Sequence, residues 1–150
     1  MISHTARSQD PSLAQAVGFV VLESAAAEDT MGELVVIRKG SLVKWWKSGA
    51  ELCEAVESLG GDGPAQLAAR LRQLLPLRNT VVHSVWLEGS SGSRYTMKRS
   101  ANTRRSPALP GYDFEYVSSL AELEKLADDF RQLEHLASRE VAIAMGIAQS

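Results

Sequence analysis

The sequence predicts an all-α fold, a bundle of four to five helices with a short β-hairpin or loop inserted between the last two main helices. Three observations predict this fold. Most of the chain repeats apolar residues at intervals of three and four positions, which is the period of a helix. Proline, serine and glycine stand where such segments begin and end. Alternating apolar and polar residues, typical of strands, occur mainly within residues 89–117.

Length and composition indicate a single helical domain over residues 1–150. The chain has 150 residues, and 45% of them are hydrophobic, which is enough to form a buried core. The net charge of −2 gives no overall signature of nucleic-acid binding, so an RNA contact would have to come from a local basic patch. Cys53 is the single cysteine and the three histidines are scattered, so we expect no disulfide framework, no metal site and no cofactor.

The sequence pattern does not indicate a membrane protein. Residues 1–10 are polar, lack the apolar core of a signal peptide and are predicted to be a disordered tail. The longest apolar run, Ala16 to Leu22, is far shorter than the ~20 residues that span a bilayer. We therefore expect a cytoplasmic protein that makes no membrane contact.

The first helix is predicted to start at Asp10-Pro11, where a capping aspartate precedes a proline at the first helical position. We expect it to run to about Thr30. Residues 32–40 fit either a short strand or a continuation of this helix, and Gly40 ends them. The apolar residues of the first helix are Leu13, Ala16, Val17, Val20, Val21 and Ala25.

The second helix is expected from Ser41, as its cap, to about Leu59. Trp45 and Trp46 are adjacent and therefore point to two different faces of this helix. One interpretation places one tryptophan in the core and the other at an interface. The alternative is a platform on which RNA bases stack.

The third helix is predicted to open at Pro64, after the loop 60–64, and to end near Glu88-Gly89. The last helix is expected to start at Ser118 or Ser119, because Ser119 and Glu122 have the spacing of a capping box. Its apolar residues keep helical spacing and are Leu120, Leu123, Leu126, Phe130, Leu133 and Leu136.

Residues 89–117 differ from the rest of the chain and form the predicted basic hairpin or loop insertion. No acidic residue occurs from Ser90 to Gly111, and alternation on either side of this basic region suggests two strands. One interpretation is a solvated hairpin whose cations keep it soluble. The other is an RNA-binding arm, since phosphate contacts come largely from arginine and lysine. The five candidate RNA-binding residues are Arg94, Lys98, Arg99, Arg104 and Arg105.

Arg78, Asn79 and His83 are the candidate catalytic residues. They bring a guanidinium, an amide and an imidazole into six positions of the third predicted helix. Asn79 and His83 lie one helical turn apart and share a face, whereas Arg78 lies about 100° around the helix from Asn79. Such a set can bind a phosphate and transfer a proton, the two requirements for cleaving a phosphodiester.

Arg78 also falls into an apolar row, between Leu74 and Val82. A guanidinium in such a row is costly unless it is paired or faces an interface or a ligand. We therefore predict that Glu23, on or near the apolar border of the first helix, pairs with Arg78 as a supporting residue. Pro76 must kink or restart the helix just before the motif, which shifts these rows relative to one another.

The motif Arg78-Asn79-x3-His83, late in a series of helices and followed by Ser84-Val85-Trp86, resembles that of the HEPN superfamily. In helix order the resemblance covers about residues 11–145. It implies an all-helical domain with a metal-independent endoribonuclease site, shared between two subunits of a dimer, whose products carry a 2′,3′-cyclic phosphate. The subgroup paired with minimal nucleotidyltransferases has tyrosine two residues after the histidine. Val85 stands there in this chain, so the identity of any antitoxin or partner protein is left open.

Three hypotheses of function follow. In the first, the protein is a homodimeric endoribonuclease: His83 is the general acid or base, Arg78 stabilises the phosphate charge, and Asn79 orients the imidazole or the phosphate by hydrogen bonding. In the second, these residues form a buried polar network in a non-catalytic dimerisation or interaction module. In the third, the basic insertion binds RNA without cleavage. Exposure of His83 distinguishes the first two: a catalytic imidazole must open to a basic cleft, whereas a structural one has both ring nitrogens satisfied inside the bundle.

Overall fold

A computed structural model of the chain describes residues 6–7, 10–40, 48–83, 85–88, 94–99, 112–117 and 120–150. Within these residues, four α-helices form the predicted bundle. Their ranges are α1 Pro11–Lys39, α2 Gly49–Glu57, α3 Asp62–His83 and α4 Leu120–Ala144. Among the described helices, none is long and apolar enough to cross a lipid bilayer.

The helix directions follow from contacts between side chains. Glu23 of α1 meets Arg131 of α4, and Thr30 of α1 meets Glu134 farther along α4, so α1 and α4 run parallel. α3 runs in the opposite direction. Its early part reaches Glu140, late in α4, while Arg70 pairs with Asp129, nearer the start of α4. The start of α1 and the end of α3 therefore lie at the same end of the bundle.

The core lies between α1, α3 and α4 and is closed by α2. Burial of these apolar side chains provides the main favourable contribution to folding. Cys53 is fully buried in this core, and burial raises the pKa of its thiol, as expected for a small apolar side chain in a helix. The largest fully buried side chains are Met31, Leu34, Leu52, Leu71, Leu74, Phe130 and Leu133.

α1 continues through the ambiguous residues 32–40 as a helix. Leu34 and Val35 are buried, so packing overrides the strand propensity of the β-branched residues that follow. Gly40 ends the helix with φ of 87°, and its N–H donates to the carbonyl of Val36 at 2.7 Å. A glycine is favoured there because other residues rarely adopt a positive φ.

The boundaries of α2 and α3 correct the sequence prediction. Ser41, Trp45 and Trp46 lie outside the described residues, but Ser48 is extended, so α2 starts at Gly49 and is shorter than expected. α3 starts at Asp62 and ends at His83, five residues before the predicted end. The residues after His83 include β-branched and aromatic side chains that suit a strand, and the chain becomes extended there.

In the part of the chain that the structure describes, four short strands form one antiparallel sheet in the order β1-β2-β3-β4. Part of the predicted disordered tail belongs to it, because Ala6 pairs with Glu88 and Arg7 with Leu87. Residues 100–111, between β3 and β4, and the predicted capping box residue Ser119 lie outside the described residues. The strand ranges are β1 Ala6–Arg7, β2 Val85–Glu88, β3 Arg94–Arg99 and β4 Tyr112–Val117.

Candidate functional site

The Arg78 side chain is held by two partners and is only 19% exposed. Its Nη1 donates to Oε2 of Glu28 at 3.2 Å, and its Nε donates to Oδ1 of Asn79 at 2.9 Å. An arginine has five N–H donors in a planar fork, so further donors remain for a ligand after these two hydrogen bonds. The partners fix the plane of the guanidinium, which is what recognition of a phosphate requires.

Glu28 connects three helices. Its Oε2 accepts from Arg78 of α3, and its Oε1 accepts from the backbone N–H of Gly49, the first residue of α2, at 2.7 Å. The first N–H groups of a helix have no partner within the helix, and a carboxylate is favourable beside them. The Glu28 side chain is 11% exposed, so both interactions are largely shielded from water.

The predicted partner of Arg78 was wrong: the acid is Glu28 and not Glu23. Glu23 accepts instead from Nη2 of Arg131 on α4 at 3.1 Å. Five residues along a helix turn the side-chain direction by about 140°, so these two glutamates of α1 face different neighbours. Side chains on helices also lean toward the helix N-terminus, and α1 and α3 run in opposite directions, so Arg78 and Glu28 lean toward each other.

Asn79 acts on the arginine in this structure. Its Oδ1 accepts from Arg78, and among the described residues no hydrogen bond joins Asn79 to His83. The amide therefore orients the guanidinium, whereas the sequence predicted a contact with the imidazole or the phosphate. A helical arginine and the residue directly after it do not share a face, and the long arginine side chain bridges that angle.

His83 is exposed at the C-terminal end of α3. It lies about 140° around the helix and about 7.5 Å along its axis from Arg78, so within one chain the imidazole and the guanidinium do not converge. The structure thus brings Arg78, Asn79 and Glu28 together, and His83 lies one turn beyond Asn79, outside this hydrogen-bonded group.

Trp86 fixes the path of the chain after His83. Its indole Nε1 donates to the carbonyl of Val81 at 3.0 Å, and the partly buried ring packs against the core. This hydrogen bond satisfies one of the carbonyl groups that the end of a helix leaves without a partner. The ring therefore anchors the turn from α3 into β2.

Glu28 was not identified from the sequence, and Trp86 was placed on the motif helix, whereas it lies in β2. A signal for Glu28 exists, because it stands four residues from both Ser24 and Gly32, which are buried on α1. An acid in a buried row requires a partner, as the same argument concluded for Arg78. The role of Trp86 depends on where α3 ends, and the end predicted from the sequence lies five residues beyond the observed one.

The candidate RNA-binding residues divide into two groups. Arg94, Lys98 and Arg99 belong to β3, whose Met97 pairs with Val85, two residues after His83. This register brings the backbone of β3 close to the end of α3. Arg104 and Arg105 lie outside the described residues.

Comparison with protein-family models, with curated proteins and with solved structures finds no match for this chain. Among the described residues, no group of three or more histidine, cysteine, aspartate or glutamate side chains is placed to hold a metal ion.

Proposed function

We propose that this protein is a metal-independent endoribonuclease of the HEPN type, which acts in the cytoplasm as a homodimer with a composite site. The main support is the arrangement of Arg78 and His83: a guanidinium held in place by Glu28 and Asn79, and an exposed imidazole one turn beyond Asn79. A buried structural histidine would have both ring nitrogens satisfied inside the bundle.

The chemistry is an attack by the RNA 2′-oxygen on the adjacent phosphorus. A bond forms from the 2′-oxygen to phosphorus and the bond from phosphorus to the 5′-oxygen breaks, which gives a 2′,3′-cyclic phosphate and a 5′-hydroxyl. The imidazole of His83 takes the proton of the 2′-hydroxyl and, as the imidazolium, gives a proton to the leaving 5′-oxygen. The remaining N–H donors of Arg78 stabilise the charge on the phosphate oxygens.

Two copies of the chain can bring Arg78 and His83 together, which one copy does not. Arg78 and His83 face different directions on α3, so Arg78 of one copy meets His83 of the other across a two-fold axis. The dimer then has two such sites, and each combines Arg78 of one copy with His83 of the other. Exposed apolar side chains beside the motif support such an interface, since Leu77 is 55% exposed and Val82 36%.

The test is cleavage of mixed RNA in EDTA by the wild type and by His83→Ala, with His135→Ala as the matched control. His135 is an exposed helical histidine on α4. We expect cleavage by the wild type and by His135→Ala, and a loss of at least about a hundredfold for folded His83→Ala, in line with the usual contribution of general acid–base catalysis. The products should carry a 2′,3′-cyclic phosphate. Equal activity of the two variants would refute the assignment.

A second candidate is a non-catalytic interaction module. The observation that favours it is the contact of Glu28 with both Arg78 and Gly49, which gives the arginine a structural role between helices. This candidate predicts no cleavage by any of the proteins above. RNA binding through the basic insertion without cleavage is a further outcome, which would appear as strongly salt-dependent binding without turnover.

A further inference from the structure

A second cleft lies at the opposite end of the bundle from His83. It has a volume of about 500 Å³ and is formed by the ends of α1 and α4 and by the loop that leads into α3. Gly63 at this end and Arg78 are 15 residues apart on α3, or about 22 Å along its axis. The cleft is therefore separate from the proposed nuclease site, and its role does not depend on that proposal.

Two arginines line this cleft, which we call the Arg38–Arg139 cleft. Arg38 is exposed, and its Nη2 donates to the carbonyl of Leu59 at 2.9 Å, which holds the guanidinium at the rim. Arg139 is also exposed, and it has no ion pair within the part of the chain that the structure describes. Donors of both guanidinium groups are thus available to an anion.

Glu140 contributes the one carboxylate side chain among the residues that line the cleft. It packs directly on Gly63, where a Cβ atom would collide with its carboxylate group. Gly63 does not have a positive φ, so the close approach of Glu140 and not the backbone conformation explains the glycine. The charged side chains of the cleft are thus two guanidinium groups and one carboxylate, and Ser150, which carries the terminal carboxylate of this chain, also lines it.

The wall beside these charges is apolar. It includes Leu136, which is 53% exposed, together with Ile143 and Leu67. Ligand sites typically combine a volume of about 300–1,000 Å³ with apolar walls and a few polar groups that fix orientation. Leu136 was predicted from its spacing to belong to the apolar row of α4, and its exposure leaves it available to a ligand.

We propose that the Arg38–Arg139 cleft binds a small organic anion. The anionic group pairs with the guanidinium groups of Arg38 and Arg139, and an apolar body packs on Leu136 and Ile143. Planar guanidinium groups suit both phosphate and carboxylate oxygens. The apolar wall selects ligands with an attached ring over the bare inorganic ion.

Calorimetric titration of the full chain tests this proposal, with phenyl phosphate, benzoate and inorganic phosphate as probes. We expect at least one of the two ring-bearing anions to bind more tightly than inorganic phosphate, and the tighter one identifies the preferred anionic group. Arg139→Gln should weaken binding by about tenfold, the usual effect of losing a charge-assisted hydrogen bond. Glu140→Gln should tighten it several-fold, because it removes a like charge.

The matched control is Arg131→Gln, on the same helix but paired with Glu23 and outside the cleft. It should leave binding unchanged. Leu136→Ala should weaken binding of the ring-bearing anion and leave inorganic phosphate unaffected. Equal binding by Arg139→Gln and Arg131→Gln, or no binding of either ring-bearing anion at millimolar concentration, would overturn the proposal. Thermal unfolding of each variant checks that it folds.

Discussion

Glu28 accepts two hydrogen bonds, one at each oxygen of its carboxylate. One goes to the guanidinium of Arg78 and the other to the backbone N–H of Gly49. Removing the carboxylate leaves a largely buried guanidinium and a helix N–H without their partner. Most of the free energy lost when such a pair is broken comes from the buried group that remains without a partner, and less comes from the lost attraction between the two groups.

We therefore predict that Glu28→Ala lowers the free energy of unfolding by about 2 to 3 kcal/mol, somewhat less than a fully buried pair because Arg78 keeps some exposure to water. Glu23→Ala is the matched control, since Glu23 pairs with the more exposed Arg131, and its effect should be much smaller. Urea unfolding followed by circular dichroism measures both. An equal loss in the two variants would contradict the role assigned to Glu28.

Arg78, in its apolar row, pairs with an acid as predicted, but the acid is Glu28 and not Glu23. Sequence spacing gives the face of each residue on its own helix and not the relative position of two helices. Only the crossing of α1 and α3 decides whether Glu23 or Glu28 reaches Arg78. Candidate residues on one helix are thus predictable from the sequence, whereas pairs between helices depend on packing.

At the scale of elements, the long helices were predictable because their apolar residues keep the helical period over many turns. The residues at which these helices end were less predictable. The continuation of α1 through residues 32–40 depends on burial of Leu34 and Val35 against the bundle. The end of α3 at His83 depends on pairing of β2 with strands on both sides, a long-range contact that local spacing does not encode.

The exposed face at the end of α3 gives a prediction for this element. Leu77 on α3 and Leu136 on α4 are almost equally exposed, at 55% and 53%, but only Leu77 lies beside Arg78. If the end of α3 is the interface between two copies, Leu77→Asp should shift the protein from dimer to monomer, because a charge is costly in a desolvated interface. Sedimentation velocity measures the shift.

Leu136→Asp serves as the control and should leave the oligomeric state unchanged. A protein that is monomeric without any substitution, or a dimer that both variants leave intact, would exclude an interface at the end of α3. RNA cleavage by Leu77→Asp should fall together with the fraction of dimer, because the composite site needs both copies.

At the scale of the whole molecule, the directions of Arg78 and His83 make the proposed site depend on two chains. Because the two side chains point about 140° apart on one helix, a site built within one chain would require the helix end to rearrange. A site built across two copies requires only that the two-fold axis pass near the end of α3. The two arrangements predict different RNA-cleaving activities for a mixture of two inactive variants.

Arg78→Ala and His83→Ala should each be inactive, and their equilibrated mixture should recover activity. In a mixed dimer, one composite site holds both substitutions and the other holds an intact Arg78 and an intact His83. Half of the dimers are mixed and one of their two sites is intact, so the mixture should reach about a quarter of the wild-type activity. If each site instead lies within one chain, every site in the mixture lacks one residue and no activity returns.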